Sequence, residues 1–166
     1  MPTPLRFGTA ISTAHTCDIK ISGGERGMAG SGTAAEHFGE HVTFDGYHGS
    51  RDALNDRACV HIALVDLAEQ LGMIPLAPPA VYFAEGSDKK DPGGWTGFLV
   101  VQESHISIHT FPARRFLSAD VYTCKTGMNV RQIIDFFIGR FGVTDHEVNF
   151  IKRGLRYPAH NFPENA

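Results

Sequence analysis

This chain predicts an α+β domain: a two-layer sandwich whose largely antiparallel sheet carries two helices on one face. Three observations predict it. Short apolar stretches with strand-like alternation outnumber helical stripes. Most of these stretches are joined by short turns, which suits antiparallel neighbours. Two helical stripes are spaced so that the order reads β-α-β-β and then β-β-α-β, a repeated β-α-β-β unit. Size agrees, since 166 residues that are 42% hydrophobic and 20% charged suit one globular unit.

Residues 1 to 37 read as a flexible, glycine-rich extension. Ser22 to Gly32 holds almost no large apolar group, so it cannot offset its ordering entropy. Gly30-Ser31-Gly32-Thr33-Ala34-Ala35 fits the letters of a dinucleotide fingerprint, but no β-rich stretch precedes it and no apolar-striped helix follows directly. A linker is the better reading.

Regular structure is expected from near Glu40. His41 to Tyr47 alternates as a strand, with Val42 and Phe44 on one side. Ser50 caps a helix with Asp52 in its first turn, and Gly72 stops it. Leu54, Ala58, Ile62 and Val65 form one stripe of that helix, beside Val60, Leu64, Leu67 and Leu71. A short strand spans Ala80 to Ala84, and Glu85 to Gly94 is turn chemistry. Strands follow over Gly97 to Gln102, His105 to Thr110 and Leu117 to Cys124. Asn129 then caps a second helix, with Gln132 placed as in a capping box. Val130, Ile133, Ile134, Phe137, Ile138 and Phe141 make its apolar face, Gly142 ends it, and His146 to Lys152 is the last strand. Residues 38 to 154 thus form the domain and 155 to 166 a tail.

Composition excludes several classes. A net charge of -3 lacks the basic excess that a phosphate-driven nucleic-acid grip requires. No apolar run approaches the roughly 20 residues of a membrane span, and the N-terminus lacks a secretory pattern, which together suggest a cytoplasmic protein. Cys17, Cys59 and Cys124 are scattered without C-x-x-C spacing, as suits reduced thiols rather than a zinc or disulfide framework, so no metal is expected.

Reactive side chains concentrate in Gln102-Glu103-Ser104-His105-Ile106-Ser107-Ile108-His109-Thr110-Phe111-Pro112 and in Asp120-Val121-Tyr122-Thr123-Cys124. Strand parity puts His105, Ser107 and His109 on one side, and Ser118, Asp120, Tyr122 and Cys124 on one side of the next strand. Read as residues alone, this suits either Cys/His nucleophilic catalysis or general acid–base work. On residue types alone, a polar, solvent-facing sheet side with two ordinary histidines and a packed cysteine is the better account.

The wording is more specific. Glu103-Ser104-His105, then Ile108-His109-Thr110-Phe111-Pro112, then Asp120-Val121-Tyr122-Thr123-Cys124 closely resembles the bacterial and archaeal S-adenosylmethionine decarboxylases, over roughly Phe38 to Gly154. The resemblance implies a proenzyme that cleaves itself between Glu103 and Ser104 and converts Ser104 into a covalently bound pyruvoyl group. That group would decarboxylate a small amino-acid-type substrate through a Schiff base, most directly S-adenosylmethionine for spermidine synthesis. By motif position His109 would assist processing and Cys124 would reprotonate the substrate's Cα, a task suited to a thiol. Thr96 stands where the family often places a serine that helps processing. A homo-oligomer of processed α/β protomers is implied as well.

The chain also departs from the pattern. After T-[WF]-P the family commonly has a glutamate for the ribose hydroxyls, and here Ala113 stands there, followed by Arg114-Arg115. Losing such a charged hydrogen bond costs about 1.5–3 kcal/mol. Trp95 or Phe83 would have to replace an adenine-stacking aromatic. The same machinery acting on arginine or ornithine is therefore a second reading, with Asp45, Glu85 or Asp120 as acids for a cationic substrate. A non-catalytic regulatory paralogue is a third, against which the intact Ser104, His109 and Cys124 argue.

Overall fold

The computed structural model describes residues 37–158. The glycine-rich extension, its fingerprint-like stretch, Cys17 and the end of the tail lie outside the described residues, apart from His37. Strands are β1 (Gly39–Tyr47), β2 (Ala80–Glu85), β3 (Gly93–Val101), β4 (Ser104–Phe111), β5 (Phe116–Thr123) and β6 (Asp145–Arg153). Helices are α1 (Arg51–Leu54), α2 (Arg57–Gln70) and α3 (Val130–Phe141), with a 3-10 turn over Pro112–Arg114. The six strands form one antiparallel sheet in the order β2-β3-β4-β5-β1-β6. No helix among the described residues is long and apolar enough to cross a membrane.

Alternation gives the sheet two unlike faces. Val42 and Phe44 of β1, Leu99 of β3, Ile106 and Ile108 of β4 and Val121 of β5 are buried beneath the helices. Helix α3 is clamped to β1 by Phe137 stacked on Phe44, with ring centroids 4.9 Å apart. Helix α2 approaches β3 so closely that a Cβ on Gly97 would meet Leu64 Cδ1 at 2.9 Å and Val60 Cγ1 at 3.0 Å. An Arg140–Asp66 ion pair ties α3 to α2. The opposite face carries no helix and leaves Tyr82, Phe98, Val100 and Ile151 exposed.

The first helix differs from the expected continuous one. It stops at Asn55, and Asp56 caps a new helix by accepting from Ala58 N–H at 2.8 Å. The restart changes the phase. Cys59, Val60, Ala63, Leu64, Leu67 and Ala68 turn inward, whereas Ile62 and Val65 of the expected stripe are exposed. Asn129 caps α3 as expected, accepting from Gln132 N–H, but the Gln132 amide donates to Gln70 O instead of closing a box. Strand β3 starts at Gly93 inside the expected loop, because Gly93 and Gly94 pair with Glu85 and Ala84.

Gly94 shows how tightly β3 and β4 are joined: a Cβ there would lie 1.9 Å from the backbone oxygen of Thr110. Gly94→Ala is therefore expected to cost about 3 kcal/mol, since backbone must move. Gly97→Ala meets only side-chain ends and costs about 1 kcal/mol. Thermal denaturation of the two variants checks the order.

Candidate active site

Strands β3 and β4 are joined by a tight turn. Val101 pairs directly with Ser104, so Gln102 and Glu103 are the whole of the turn. A segment after α2 holds that turn from outside: Gln102 N–H donates to Ile74 O at 2.7 Å, and Leu76 N–H donates to Val100 O at 3.0 Å. The main-chain oxygen of Glu103 accepts from the N–H of Cys124, just past β5, at 2.9 Å. Ser104 has φ 158°, a positive angle that glycine tolerates better than serine. The peptide between Glu103 and Ser104 thus has an engaged carbonyl and an unusual conformation beside Cys124.

The Glu103 side chain is held as firmly. The residue is 4% exposed, Oε1 lies 2.6 Å from Lys125 Nζ, and Oε2 accepts from Ile74 N–H at 3.1 Å. Lys125 first, and then the Ile74 N–H, hold this carboxyl below the usual range against the opposing effect of burial. Neighbouring Glu40 is also buried. Burial pushes its carboxyl up, but the backbone N–H groups of Met128 and Gly127 and the side chain of His37 outweigh it, so the net direction is down.

The other motif residues lie elsewhere. Thr96 pairs with His109 across β3 and β4, and Thr96 Oγ1 is 3.2 Å from His109 Nδ1. His109 stands five positions along β4 from Ser104, about 17 Å at strand spacing. Within one chain the motif residues therefore fall into two groups: Glu103, Ser104 and Cys124, with Lys125, at one end, and Thr96 with His109 at the other.

Between them the open face is laid out in rows by strand pairing. Tyr82, Thr96, His109, Ser118, Asp45 and Glu147 form one row; Phe98, Ser107, Asp120, Thr43 and Asn149 form the next. Val100, His105, Tyr122, His41 and Ile151 form the row nearest the Glu103 turn. Asp120 is committed to His41 Nε2 at 3.0 Å and to Ser107 Oγ at 3.2 Å. Glu85 falls outside these rows at the end of β2, so Asp45 is the one of the three candidate acids that shares a row with His109. Trp95 and Phe83 pack edge to face with each other, and Trp95 Nε1–H donates to Asn55 O at 2.9 Å, so both serve the helix side. Arg115 donates to Gly49 O and His48 O, and Arg114 to Lys89 O, so both guanidiniums are spent on backbone. Among the described residues no cluster of three or more His, Cys, Asp or Glu could hold a metal.

Sequence reasoning missed Lys125, Ile74, His41 and Arg153. Lys125 follows the cysteine directly, which is a signal of sorts. The others carry none, because they reach the site only through α2's exit and the pairing of β1 with β5 and β6.

The family model described as S-adenosylmethionine decarboxylase matches residues 40–154. The chain is 34% identical over 119 residues to the S-adenosylmethionine decarboxylase proenzyme of Brevibacillus brevis, covering 72% of this chain and 82% of that one. It is 33% identical over 129 residues to the like-named protein of Pyrobaculum neutrophilum, covering 77% and 98%. With that of Thermococcus kodakarensis it shares 40% identity over 67 residues, which span 47% of that relative. The fold is similar to the crystal structure of the adenosylmethionine decarboxylase from Aquifex aeolicus, with a TM-score of 0.63 at 23% identity, covering 77% of this chain and 100% of that one.

His105 stacks on Phe98 with centroids 5.2 Å apart and meets the Tyr122 edge at 5.7 Å. Burial first, then the nearby His41 and Arg153, push its imidazole below the ordinary 6.5, with Asp120 opposing. A histidine with a depressed folded pKa supports stability above its unfolded pKa and loses that support as pH falls through the folded value. An NMR titration of the His105 ring should therefore find a midpoint below 6.5, and His105→Phe should flatten the fall of stability below that pH.

Proposed function

Because the chain belongs to the S-adenosylmethionine decarboxylase family, a family of carboxy-lyases, we propose that it is a self-processing, pyruvoyl-dependent decarboxylase acting on S-adenosylmethionine in spermidine biosynthesis. The observation that carries this reading is the hydrogen bond from Cys124 N–H to the Glu103 carbonyl at the tip of the tight turn.

That carbonyl is the acyl group the chemistry needs. Ser104 Oγ adds to the Glu103 carbonyl carbon, and the Oγ–C bond forms as the C–N bond breaks. The nitrogen keeps the hydroxyl's proton and an ester remains. Negative charge gathers meanwhile on the Glu103 oxygen, where an N–H already donates. A base then takes the Cα proton of residue 104, and the Glu103 carboxylate leaves Cβ. The dehydroalanine tautomerises and is hydrolysed by water, releasing ammonia and leaving a carbonyl. The products are a β chain ending at Glu103 and an α chain headed by the pyruvoyl group. When present, that group supplies an electron sink for the carbanion left by loss of CO₂. Cys124, fixed to the turn by its own backbone, is the residue that returns a proton to the substrate's Cα.

His109 is too distant to serve the same chain's Ser104. The uncovered sheet face offers the means to complete the site, with Phe98 42%, Val100 43% and Ile151 42% exposed beside His105 and Tyr122. Two copies packed face to face about a two-fold axis would bring the partner's Thr96 and the partner's His109 over Ser104 and Cys124. The Thr96 hydroxyl, 3.2 Å from Nδ1, would orient that imidazole.

A second reading keeps the machinery and changes the substrate to arginine or ornithine. Ala113, in the turn between Pro112 and Arg114, cannot accept from ribose hydroxyls, and the guanidiniums of Arg114 and Arg115 are turned to backbone carbonyls, where they do not oppose a cationic substrate.

Wild-type protein is expected to run as two fragments on a denaturing gel and to release CO₂ from S-adenosylmethionine, whereas Ser104→Ala stays a single band near 18.1 kDa and releases none. One band from active wild type ends the proposal, and CO₂ from arginine or ornithine alone selects the second reading. Cleavage in trans is testable by co-expressing differently tagged chains. His109→Ala chains should remain whole alone and be cleaved when paired with Ser104→Ala chains; if pairing leaves them whole, the shared-site arrangement is wrong.

A further inference from the structure

Glu103 carries the carbonyl that self-processing attacks, yet its side chain is held by contacts that the turn itself does not need. Pairing of Val101 with Ser104 and the Gln102–Ile74 hydrogen bond already make the turn. In addition the carboxylate is buried, with Lys125 Nζ at 2.6 Å and Ile74 N–H at 3.1 Å. Lys125 is aimed by its own backbone, whose N–H donates to Thr123 Oγ1 at 3.1 Å, and its side chain is 63% exposed.

We propose that Lys125 is a positioning residue for self-cleavage: by neutralising the buried Glu103 carboxylate, it lets negative charge build on the main-chain oxygen of the same residue. The inference rests on the self-processing reading and adds to it a residue outside the Glu-Ser-His and Thr-Cys motifs. Two negative charges on one residue, a few ångströms apart, repel each other. With the ammonium in contact, the side chain is close to neutral overall. The growing oxyanion then meets chiefly the Cys124 N–H. Lys125 acts through Glu103 and touches no reacting atom.

Removing the ammonium leaves the Glu103 charge without its counter-ion. The Ile74 N–H, which outweighs burial, still holds the carboxyl below its usual range, so the carboxylate stays charged beside the growing oxyanion. Neutralising Glu103 itself should then relieve the loss, a rescue that lost packing would not show.

The test is cell-free synthesis of the full chain followed by the rate of fragment appearance on denaturing gels. Lys125→Met is expected to slow cleavage at least about tenfold. Lys125→Arg should stay within about threefold of wild type, because the charge is kept. The double variant E103Q/K125M should cleave faster than K125M, since the repelling charge is gone. If K125M does not fold by circular dichroism, Lys125→Gln takes its place with the same expectations. Equal rates for the neutral variant and wild type overturn the proposal. So does a deficit that E103Q leaves unrelieved. A wild-type chain that never cleaves instead overturns the processing reading itself.

Discussion

Closure of the β3–β4 turn by Cys124 is the constraint on which the rest depends. A two-residue turn leaves the Glu103 carbonyl no neighbour within its own hairpin, and a buried carbonyl without a donor is costly. The donor comes from the end of β5, so the turn, the cysteine and the strand register are one object. Slipping β5 by one residue would remove the donor and turn Tyr122 and Asp120 to the wrong face. The antiparallel pairing of β4 with β5 thereby sets both the fold and the relation of Ser104 to Cys124.

The helices act on this centre from one side only. Residues 73–76, leaving α2, run along the outer side of the turn and supply Ile74 N–H to Glu103 and Ile74 O to Gln102. On the other side the sheet is bare. Its polar groups are organised there: Asp120 between His41 and Ser107, and Arg153 against both His41 and the Tyr122 ring. An uncovered sheet face with ordered polar groups and exposed aromatic and aliphatic side chains has the composition of an interface core with polar partners.

Most of the fold was legible because its signals are local. Alternation in His41–Tyr47 and in His105–Thr110, the apolar face of Val130–Phe141, and the glycine stops all act within a few residues. The split at Asn55 and Asp56 was not legible as such, since a cap inside an apolar stripe is masked by good helix formers on both sides. Its consequence is visible at Ile62 and Val65, which the phase change leaves in solvent. Around the turn, the structure brings the motif residues Glu103, Ser104 and Cys124 together. The motif spacing gave no hint that Thr96 and His109 form a separate pair, because linear closeness along an extended strand is not closeness in space.

By itself the sequence determined where reactive side-chain types concentrate and which face of most elements is apolar, because residue type and periodicity are properties of the chain. It determined the kinship too, through the wording around Ser104 and Cys124. Only the tertiary structure decided who meets whom. The ammonium of Lys125 on the Glu103 carboxylate, the N–H of Cys124 on its carbonyl and the imidazole of His41 on Asp120 all join residues far apart in the chain. Such contacts arise from strand register and sheet order, which are set when the whole core packs, and no local pattern encodes them.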